Sequence, residues 1–262
     1  MTDSYLLLAY LLFLAAIATT EMVLAGDIRK SCKRLVANYG LGVLTLLVAM
    51  SLPVQLVSVA VIAEHWRFGL LYTVPLHALV ASLFSFLVLD AVNYLTHRLL
   101  HTPLLWPFHA VHHSDLRLDH SSGLRFHPIE FLVHITTASA AILVLGATPA
   151  GVAAYTLAAA IWNLALHTSL RAPRTLDAMN GTFLLMPAHH RVHHSQRAED
   201  VDRNYGTVFS FWDRMFGTYR HIGRYPRGTA PPGISSVTEC DAEDFHTLLT
   251  KPFHVRKQKD GE

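Results

Sequence analysis

Histidines dominate the residues of this chain that could do chemistry. The sequence contains 18 of them, and 13 fall between His97 and His194. A neutral imidazole is the commonest side-chain ligand of transition metals, and it also serves in proton transfer. The clustering of so many imidazoles at short intervals therefore points first to a metal centre.

The clustered histidines form three short motifs with helical spacing. His97-Arg-Leu-Leu-His101 places two imidazoles four residues apart, on one face of a helix. The motifs at 109–113 and 190–194 both read His-x-x-His-His, which we interpret as one further face each. With His167, at the end of the last apolar stretch, the candidate metal ligands are His97, His101, His109, His112, His113, His167, His190, His193 and His194.

These candidates exceed what one ion needs. A structural zinc site has about four ligands, so the larger number indicates two ions with positions left open for oxygen or substrate. Imidazole suits iron, zinc and copper alike, so the ligands alone leave the metal undetermined. A lone histidine on a helix is more often a packing or surface residue, but the repeated spacing favours a metal site here.

Other polar residues near the motifs could orient the ligands. Asp90, Glu130 and Asp213 could accept the second N–H of a bound imidazole and so set its tautomer. Their alternative roles are structural: Asp90 could cap a helix end, and Asp213 could pair with a neighbouring arginine. His127 and His189 are interpreted as hydrogen-bonding partners of the ligands rather than as ligands.

The composition indicates that lipid is the solvent for part of the chain. Of its 262 residues, 52% are apolar and only 15% are charged, against about 25% charged residues in ordinary soluble domains. Pro53 is predicted to kink or divide the second of five apolar stretches. These stretches approach the roughly 20 residues that a spanning helix needs, and they lie at 5–26, 35–63, 70–89, 129–145 and 149–166.

Histidines outside the motifs receive other interpretations. His77 and His134 fall within the apolar stretches, where we expect hydrogen bonding in a cavity rather than ligation. His120 is left unassigned.

The distribution of lysine and arginine predicts the orientation. A basic cluster at 29–34 is assigned to the cytoplasm, and alternation from there places 90–128 and the chain after 167 on the same side. Every histidine motif then lies at the cytoplasmic face. We therefore expect an all-α integral membrane protein with four to five spanning helices and a cytoplasmic, helical, histidine-rich cap that holds a two-metal site.

Three regions follow from this organisation. Residues 1–89 are predicted to form the N-terminal spanning helices, 90–225 the catalytic region with a spanning hairpin at 129–166, and 226–262 a polar peripheral tail. The first stretch lacks the basic start and cleavage site of a signal peptide, so we interpret it as a retained anchor. A net charge of +2, without a run of basic and aromatic residues, gives no sign of nucleic-acid binding.

The motifs and their flanks are similar to those of a known family. They resemble the fatty acid hydroxylase/sterol desaturase superfamily over roughly 83–219. The stretch 189–218 looks closest to its bacterial sterol-desaturase-like branch and to the alkylglycerol monooxygenases. Besides the histidine motifs, the matching elements are Asp90-x-x-Asn93-Tyr94, Leu105-Trp106-x-Phe108, Arg125-Phe-His127-Pro-x-Glu130, Asn204-Tyr205-Gly206 and Trp212-Asp213-Arg214-x-Phe216-Gly217-Thr218.

This resemblance implies a membrane enzyme that holds two iron ions through the motif histidines and His167. It implies O₂-dependent hydroxylation or desaturation of a lipid, whether fatty acyl, sterol, alkylglycerol or isoprenoid. Zinc is expected as a possible substitute in purified protein. Because the sequence contains no cytochrome-b5-like motif, the electrons are expected from a separate ferredoxin, cytochrome b5-like protein or pterin. The expected location is a bacterial inner membrane.

Other functions fit part of the pattern. A desaturase would begin with the same hydrogen abstraction, so the sequence does not separate it from a hydroxylase. A membrane metal carrier or sensor would favour ligands at mid-span rather than at the membrane's edge. A zinc protease would need a His-Glu-x-x-His motif, which the sequence lacks, and a bis-histidine haem protein would need facing pairs within the spans.

Overall fold

The chain folds into helices, as predicted. The computed structural model describes residues 2–25, 32–53, 55–170, 181–221 and 231–250. Its helices are α1 (Thr2–Ala25), α2 (Cys32–Ser51), α3 (Leu56–His65), α4 (Ala78–Leu100), α5 (Trp106–His113), α6 (Pro128–Leu145), α7 (Pro149–His167), α8 (Pro187–His193), α9 (Phe211–Met215), α10 (Glu239–Glu243) and α11 (Phe245–Thr250). Short 3₁₀ turns occupy Leu70–Thr73, His120–Leu124 and Ala198–Asp200.

Five segments are long and apolar enough to cross a membrane. This agrees with the prediction of a multi-pass membrane protein. They are Tyr5–Leu24, Cys32–Thr73, Ala78–Leu100, Pro128–Leu145 and Pro149–His167.

The second segment is divided at the predicted place. α2 ends at Ser51 and α3 begins at Leu56, on either side of Pro53, whose ring and missing N–H disfavour a continuous helix.

The helix of the third apolar stretch, α4, begins later than predicted. α4 begins at Ala78 rather than at residue 70, and it continues past the end of the apolar stretch at 89 to Leu100. Pro75 explains the late start, because the residue before a proline disfavours helical geometry. His77, expected inside the span, is exposed, and its ring nitrogen accepts a hydrogen bond from the backbone N–H of Leu79. The longer helix carries His97 on its final turns.

Among the spanning helices, α7 contacts α1, α3 and α4, and α4 also contacts α6. α1 lies on α7, and α3 lies on α6 and α7. Close approach depends on small residues: a Cβ on Gly151 would lie 2.5 Å from the carbonyl oxygen of Ser82, so α7 reaches α4 only where no side chain intervenes. The α6–α7 hairpin turns at Gly146, whose left-handed φ of 69° suits glycine.

A buried polar network joins α2 to the segment that follows α5. The Arg34 guanidinium donates to the Asp115 carboxylate at 2.6 and 3.0 Å and to Asp119 at 2.7 Å. Burial alone would raise the pKa of Asp115, but Arg34 and Arg125 outweigh it and hold that pKa below its ordinary value. Arg34 therefore has a structural role beyond its place in the predicted basic cluster, whose Arg29 and Lys30 lie outside the described residues.

Arg125 links this network to the C-terminal region. Its fully buried guanidinium donates to the carbonyl oxygens of Val111 and Ala242 and to the side chains of Asn38 and Ser114. The described part of the predicted tail, 231–250, packs on α2, and its Leu248 shares a hydrophobic cluster with Val111 of α5. The basic end at 251–259 lies outside the described residues.

Candidate metal centre

The nine predicted histidines converge into two adjoining groups, and all nine are buried. We call them the five-histidine group, formed by His97, His101, His109, His113 and His193, and the four-histidine group, formed by His112, His167, His190 and His194. Within each group, one ring nitrogen per histidine lies within 4.8 Å of those of the others. The groups touch, since the ring centroids of His113 and His194 are 4.4 Å apart.

Each His-x-x-His-His motif contributes to both groups. In the motif at 109–113, on α5, the first and last imidazoles join the five-histidine group, and His112 joins the other. In the motif at 190–194, on α8 and its C-terminal cap, His190 and His194 join the four-histidine group, and His193 joins the five-histidine group. Residues three and four apart share a helix face, and the three imidazoles of each motif lie toward the two adjoining groups. The one-face arrangement that we predicted is consistent with this, and the structure adds that each motif divides its histidines between the groups.

His167 occupies the centre of the four-histidine group. It is the last residue of α7, and its Nε2 lies 3.1 Å from that of His112, 3.0 Å from that of His190 and 3.3 Å from that of His194. The position of the C-terminal end of α7 therefore controls the spacing of this group.

Backbone carbonyl oxygens fix the tautomers of four rings. In each case Nδ1 faces a carbonyl oxygen, which can only accept, so Nδ1 carries the hydrogen and Nε2 of the neutral ring has a free lone pair. The Nδ1···O distance is 3.3 Å for His112 and 2.7 Å for the others. The pairs are His97 with Tyr205, His112 with Arg125, His167 with Asn163, and His193 with Arg203.

Carboxylates orient two further rings, both in the five-histidine group. Glu130 Oε1 lies 2.7 Å from Nδ1 of His109, the type of contact that the sequence suggested for it. Asp202 Oδ1 lies 3.0 Å from Nδ1 of His101. Asp202 is not among the sequence-predicted residues; the chain reaches it through left-handed turns, with φ of 58° at Asp202 and 54° at Asn204.

The carboxylate of Asp90 contacts a loop instead of the imidazole that we predicted for it. It accepts hydrogen bonds from the backbone N–H groups of Val208 and Phe209, both at 3.3 Å, and from the indole N–H of Trp212 at 2.9 Å. Asp90 therefore anchors the chain between α8 and α9 to α4.

Asp213 likewise accepts from the backbone, not from an imidazole. Its oxygens receive the N–H groups of Tyr205 and Gly206 at 2.8 Å and the hydroxyl of Thr218 at 2.7 Å. Burial raises the pKa of this carboxyl above its ordinary value. Asp213 acts on the site through Tyr205, whose carbonyl oxygen accepts the hydrogen of His97.

His127 and His189 belong to neither group. His127 caps α6, since its Nδ1 accepts the backbone N–H of Ile129 at 3.1 Å. His189 Nε2 lies 2.8 Å from the hydroxyl oxygen of Tyr219, and burial lowers the pKa of His189 to about 4. The expected contacts between these two residues and the ligands are replaced by contacts to neighbouring elements.

The electrostatics of the groups fit bound cations. Burial, together with neighbouring imidazoles, lowers the pKa of six of these histidines well below the ordinary value: His109, His112, His113, His190, His193 and His194. Neutral rings bring lone pairs face to face, as at the 3.1 Å separation between Nε2 of His112 and of His167. Such lone pairs repel unless a cation accepts both.

The distances between the ring nitrogens also fit bound metal ions. A tetrahedral ion with nitrogen ligands at about 2.0–2.1 Å holds those nitrogens roughly 3.3 Å apart. The Nε2 separations around His167, 3.0 to 3.3 Å, are close to that value. The donor set therefore fits one transition-metal ion in each group.

Comparison with known proteins identifies the family. The model for a family described as fatty acid hydroxylase matches residues 82–218, which include all nine histidines. The chain is 29% identical to an alkylglycerol monooxygenase of Caenorhabditis elegans, over 74% of this chain and 36% of that protein. It is 33% identical to the ornithine lipid hydroxylase OlsE of Rhizobium tropici, over 64% and 48%, and 27% identical to a lathosterol oxidase of Mus musculus, over 64% and 54%.

These alignments span about a third to a half of the relatives' own lengths. No solved structure matches the chain. Because the family match covers more than half of its residues and all of its histidine motifs, this chain belongs to the fatty acid hydroxylase family.

Proposed function

We propose that this protein is a membrane-bound di-iron oxygenase that hydroxylates a C–H bond of a lipid with O₂. The observation that carries the proposal is the pair of adjoining groups of buried, neutral imidazoles, whose tautomers direct unprotonated nitrogens toward one another. Relatives named as an alkylglycerol monooxygenase, an ornithine lipid hydroxylase and a lathosterol oxidase support oxidation of a lipid.

The two groups would each hold one ion. Bound iron would supply the oxidising power for an unactivated C–H bond, which amino-acid side chains lack. The chain's own residues keep the rings neutral by burial and hold six of them by hydrogen bonds from Nδ1. Trp106 and Tyr205 pack against His101, with ring centroids 5.2 and 4.8 Å away, and these aromatic walls would exclude water from the five-histidine group.

Hydroxylation of a lipid by O₂ also requires electrons and protons. One oxygen atom of O₂ is inserted into the C–H bond and the other leaves as water, which consumes two electrons and two protons. A separate reductant has to supply the electrons, and we propose a ferredoxin, a cytochrome b5-like protein or a pterin. The substrate's apolar chain would come from the bilayer, since His97 and His167 lie at the ends of spanning helices. A cytoplasmic location of both groups, in a bacterial inner membrane, is part of the proposal.

Desaturation is the second candidate, because the likeness to a lathosterol oxidase favours it. Hydroxylation is preferred because the monooxygenase and the hydroxylase are relatives with higher identity. The product distinguishes the two: a hydroxylated lipid gains one oxygen atom, and a desaturated lipid loses two hydrogens.

The test combines metal analysis with lipid analysis. Protein purified without oxygen should contain two iron ions per chain, and cells that express it should accumulate a lipid labelled from isotopic O₂. His112→Ala and His193→Ala each remove one ligand candidate from a different group and should abolish the product. His77→Ala, at the exposed start of α4, is the matched control. Stoichiometric zinc, no O₂ consumption and no oxidised lipid would together reject the proposal.

A further inference from the structure

Glu21 is a buried carboxylate within a membrane-spanning segment. It lies in Tyr5–Leu24 and is only 3% exposed. A carboxylate in such a segment is costly unless its oxygens are well hydrogen-bonded, and it commonly marks a functional position. Elsewhere α1 exposes large apolar side chains such as Leu8 and Leu12, as expected of a helix that faces lipid. The buried carboxylate of Glu21 is therefore not explained by contact with lipid.

Both carboxylate oxygens of Glu21 are occupied by donors from other elements. Oε1 accepts the hydroxyl of Thr168 at 2.5 Å and the backbone N–H of Ser169 at 2.7 Å. Oε2 accepts the Nδ1–H and the backbone N–H of His120 at 2.7 and 3.3 Å. The hydroxyl of Tyr39 donates in turn to Nε2 of His120 at 2.8 Å.

We call Glu21 together with His120, Thr168 and Ser169 the Glu21 clamp. It is not a third metal site. Glu21, Asp119 and His120 lie close enough together to suggest one. The Asp119 oxygens, however, accept from the Ser121 backbone and hydroxyl and from Arg34. Every carboxylate oxygen already accepts at least one hydrogen bond and Nε2 of His120 accepts from Tyr39, so the cluster is satisfied as a hydrogen-bonded network without an ion.

The clamp acts on the C-terminal end of α7. Thr168 and Ser169 follow directly after His167, the residue at the centre of the four-histidine group. The carbonyl oxygen of Thr168 also accepts a hydrogen bond from Arg191 at 2.6 Å, and Arg191 lies between His190 and His193 in the third motif. Glu21 therefore holds the residues that follow α7, and Arg191 joins the same residues to α8 at the four-histidine group.

We infer that Glu21 is a positioning residue for the four-histidine group: it holds the end of α7 so that His167 faces its three partners. The inference depends on the proposed function, which assigns an ion to this group. The five-histidine group has its own carboxylates, Glu130 and Asp202. Loss of the clamp should therefore affect one ion and leave the other unchanged.

The experiment is a cobalt(II) titration of the metal-depleted, full-length protein in detergent micelles, followed by absorption spectroscopy. Wild type and Thr20→Ala, an exposed neighbour on α1, should each bind two equivalents. Glu21→Leu keeps the size but removes both acceptors; it should bind one equivalent normally and the other about tenfold to a hundredfold more weakly. Glu21→Gln retains an oxygen that can accept from Thr168 and Ser169 but turns its amide N–H groups toward the two His120 donors, so it should weaken the same equivalent less than Glu21→Leu does.

A second variant guards against misfolding of Glu21→Leu. Thr168→Val keeps the β-branched shape and removes only the hydroxyl, so it should weaken the same equivalent by a smaller factor. Wild-type titration curves for Glu21→Leu, or for Thr168→Val where Glu21→Leu does not fold, would overturn the inference. Equal weakening of both equivalents would also overturn it, because a purely structural defect is not selective.

The two proposals can fail separately. If the wild type binds two ions but oxidises no lipid, the proposed function fails, and the role of Glu21 is still decided by the titrations. If the wild type binds no metal, both are overturned.

Discussion

Glu130→Gln tests the carboxylate support of the five-histidine group. Glu130 is fully buried, and its Oε1 lies 2.7 Å from Nδ1 of His109. Glutamine keeps the size and a carbonyl oxygen that can accept the same hydrogen, so only the negative charge is lost. The other oxygen, Oε2, has no hydrogen-bond partner among the described residues, so the new amide group breaks no contact there. We expect the fold to survive and the ion of this group to bind more weakly.

The size of the effect follows from the hydrogen bond that changes. A hydrogen bond to a charged partner contributes about 1.5–3 kcal/mol, against about 0.5–1.5 kcal/mol for a neutral one. The difference of about 1–1.5 kcal/mol corresponds to roughly five- to twelvefold weaker binding, since each 1.4 kcal/mol is a factor of ten. This value meets the lower end of the roughly tenfold to hundredfold loss typical when a ligand's hydrogen-bond partner is removed.

The assay is the same cobalt(II) titration, run beside Glu64→Gln. That control makes the same chemical change at an exposed position on α3, and it should titrate as wild type. Unchanged binding by Glu130→Gln, or equal weakening of both equivalents, would refute the assignment of Glu130 to the five-histidine group.

Three further predictions concern stability and indirect support. Arg125→Met should lower the free energy of unfolding by about 3–5 kcal/mol, because it leaves four buried acceptors without their donor and removes one of the two cations that hold the pKa of Asp115 low; denaturant unfolding measures this, and a loss under about 1 kcal/mol would contradict it. Asp213→Asn should weaken metal binding less than Glu130→Gln does, because Asp213 acts on the site indirectly, through the Tyr205 backbone; a larger shift in the titration would count against that path. Acidification below about pH 6.5 should destabilise the metal-free protein, because burial lowers the pKa of the folded-state histidines and the unfolded chain then binds more protons. Melting temperatures that do not fall with pH would contradict this.

The helical membrane fold and the convergence of the nine histidines were predictable from the sequence. Apolar length alone marks a spanning helix, and the break at Pro53 follows from the chemistry of one residue. Spacings of three and four place imidazoles within one or two turns of each other. These are local signals, so they survive without knowledge of the tertiary arrangement.

The division into two groups was not predictable from these signals. A short helix such as α5 presents His112 and His113 in different directions, and only its packing decides which group each joins. The carboxylates of Asp90 and Asp213 face backbone N–H groups instead of imidazoles. Proximity in sequence does not indicate the direction in which a side chain points, so the sequence did not predict these contacts. The clamp joins Glu21 to Thr168, which are 147 residues apart, so no local pattern marks it.

The two groups differ in the way their rings are held, and this difference links the predictions. Carboxylate acceptors, as at Glu130 and Asp202, make an imidazole more electron-rich than neutral carbonyl acceptors do. Among the described residues, the Nδ1 acceptors in the four-histidine group are carbonyl oxygens, and Nδ1 of His190 and of His194 has no partner. The five-histidine group should therefore bind the first equivalent of metal, and the four-histidine group the second. On this reasoning Glu130→Gln weakens the first binding step and loss of the Glu21 clamp weakens the second.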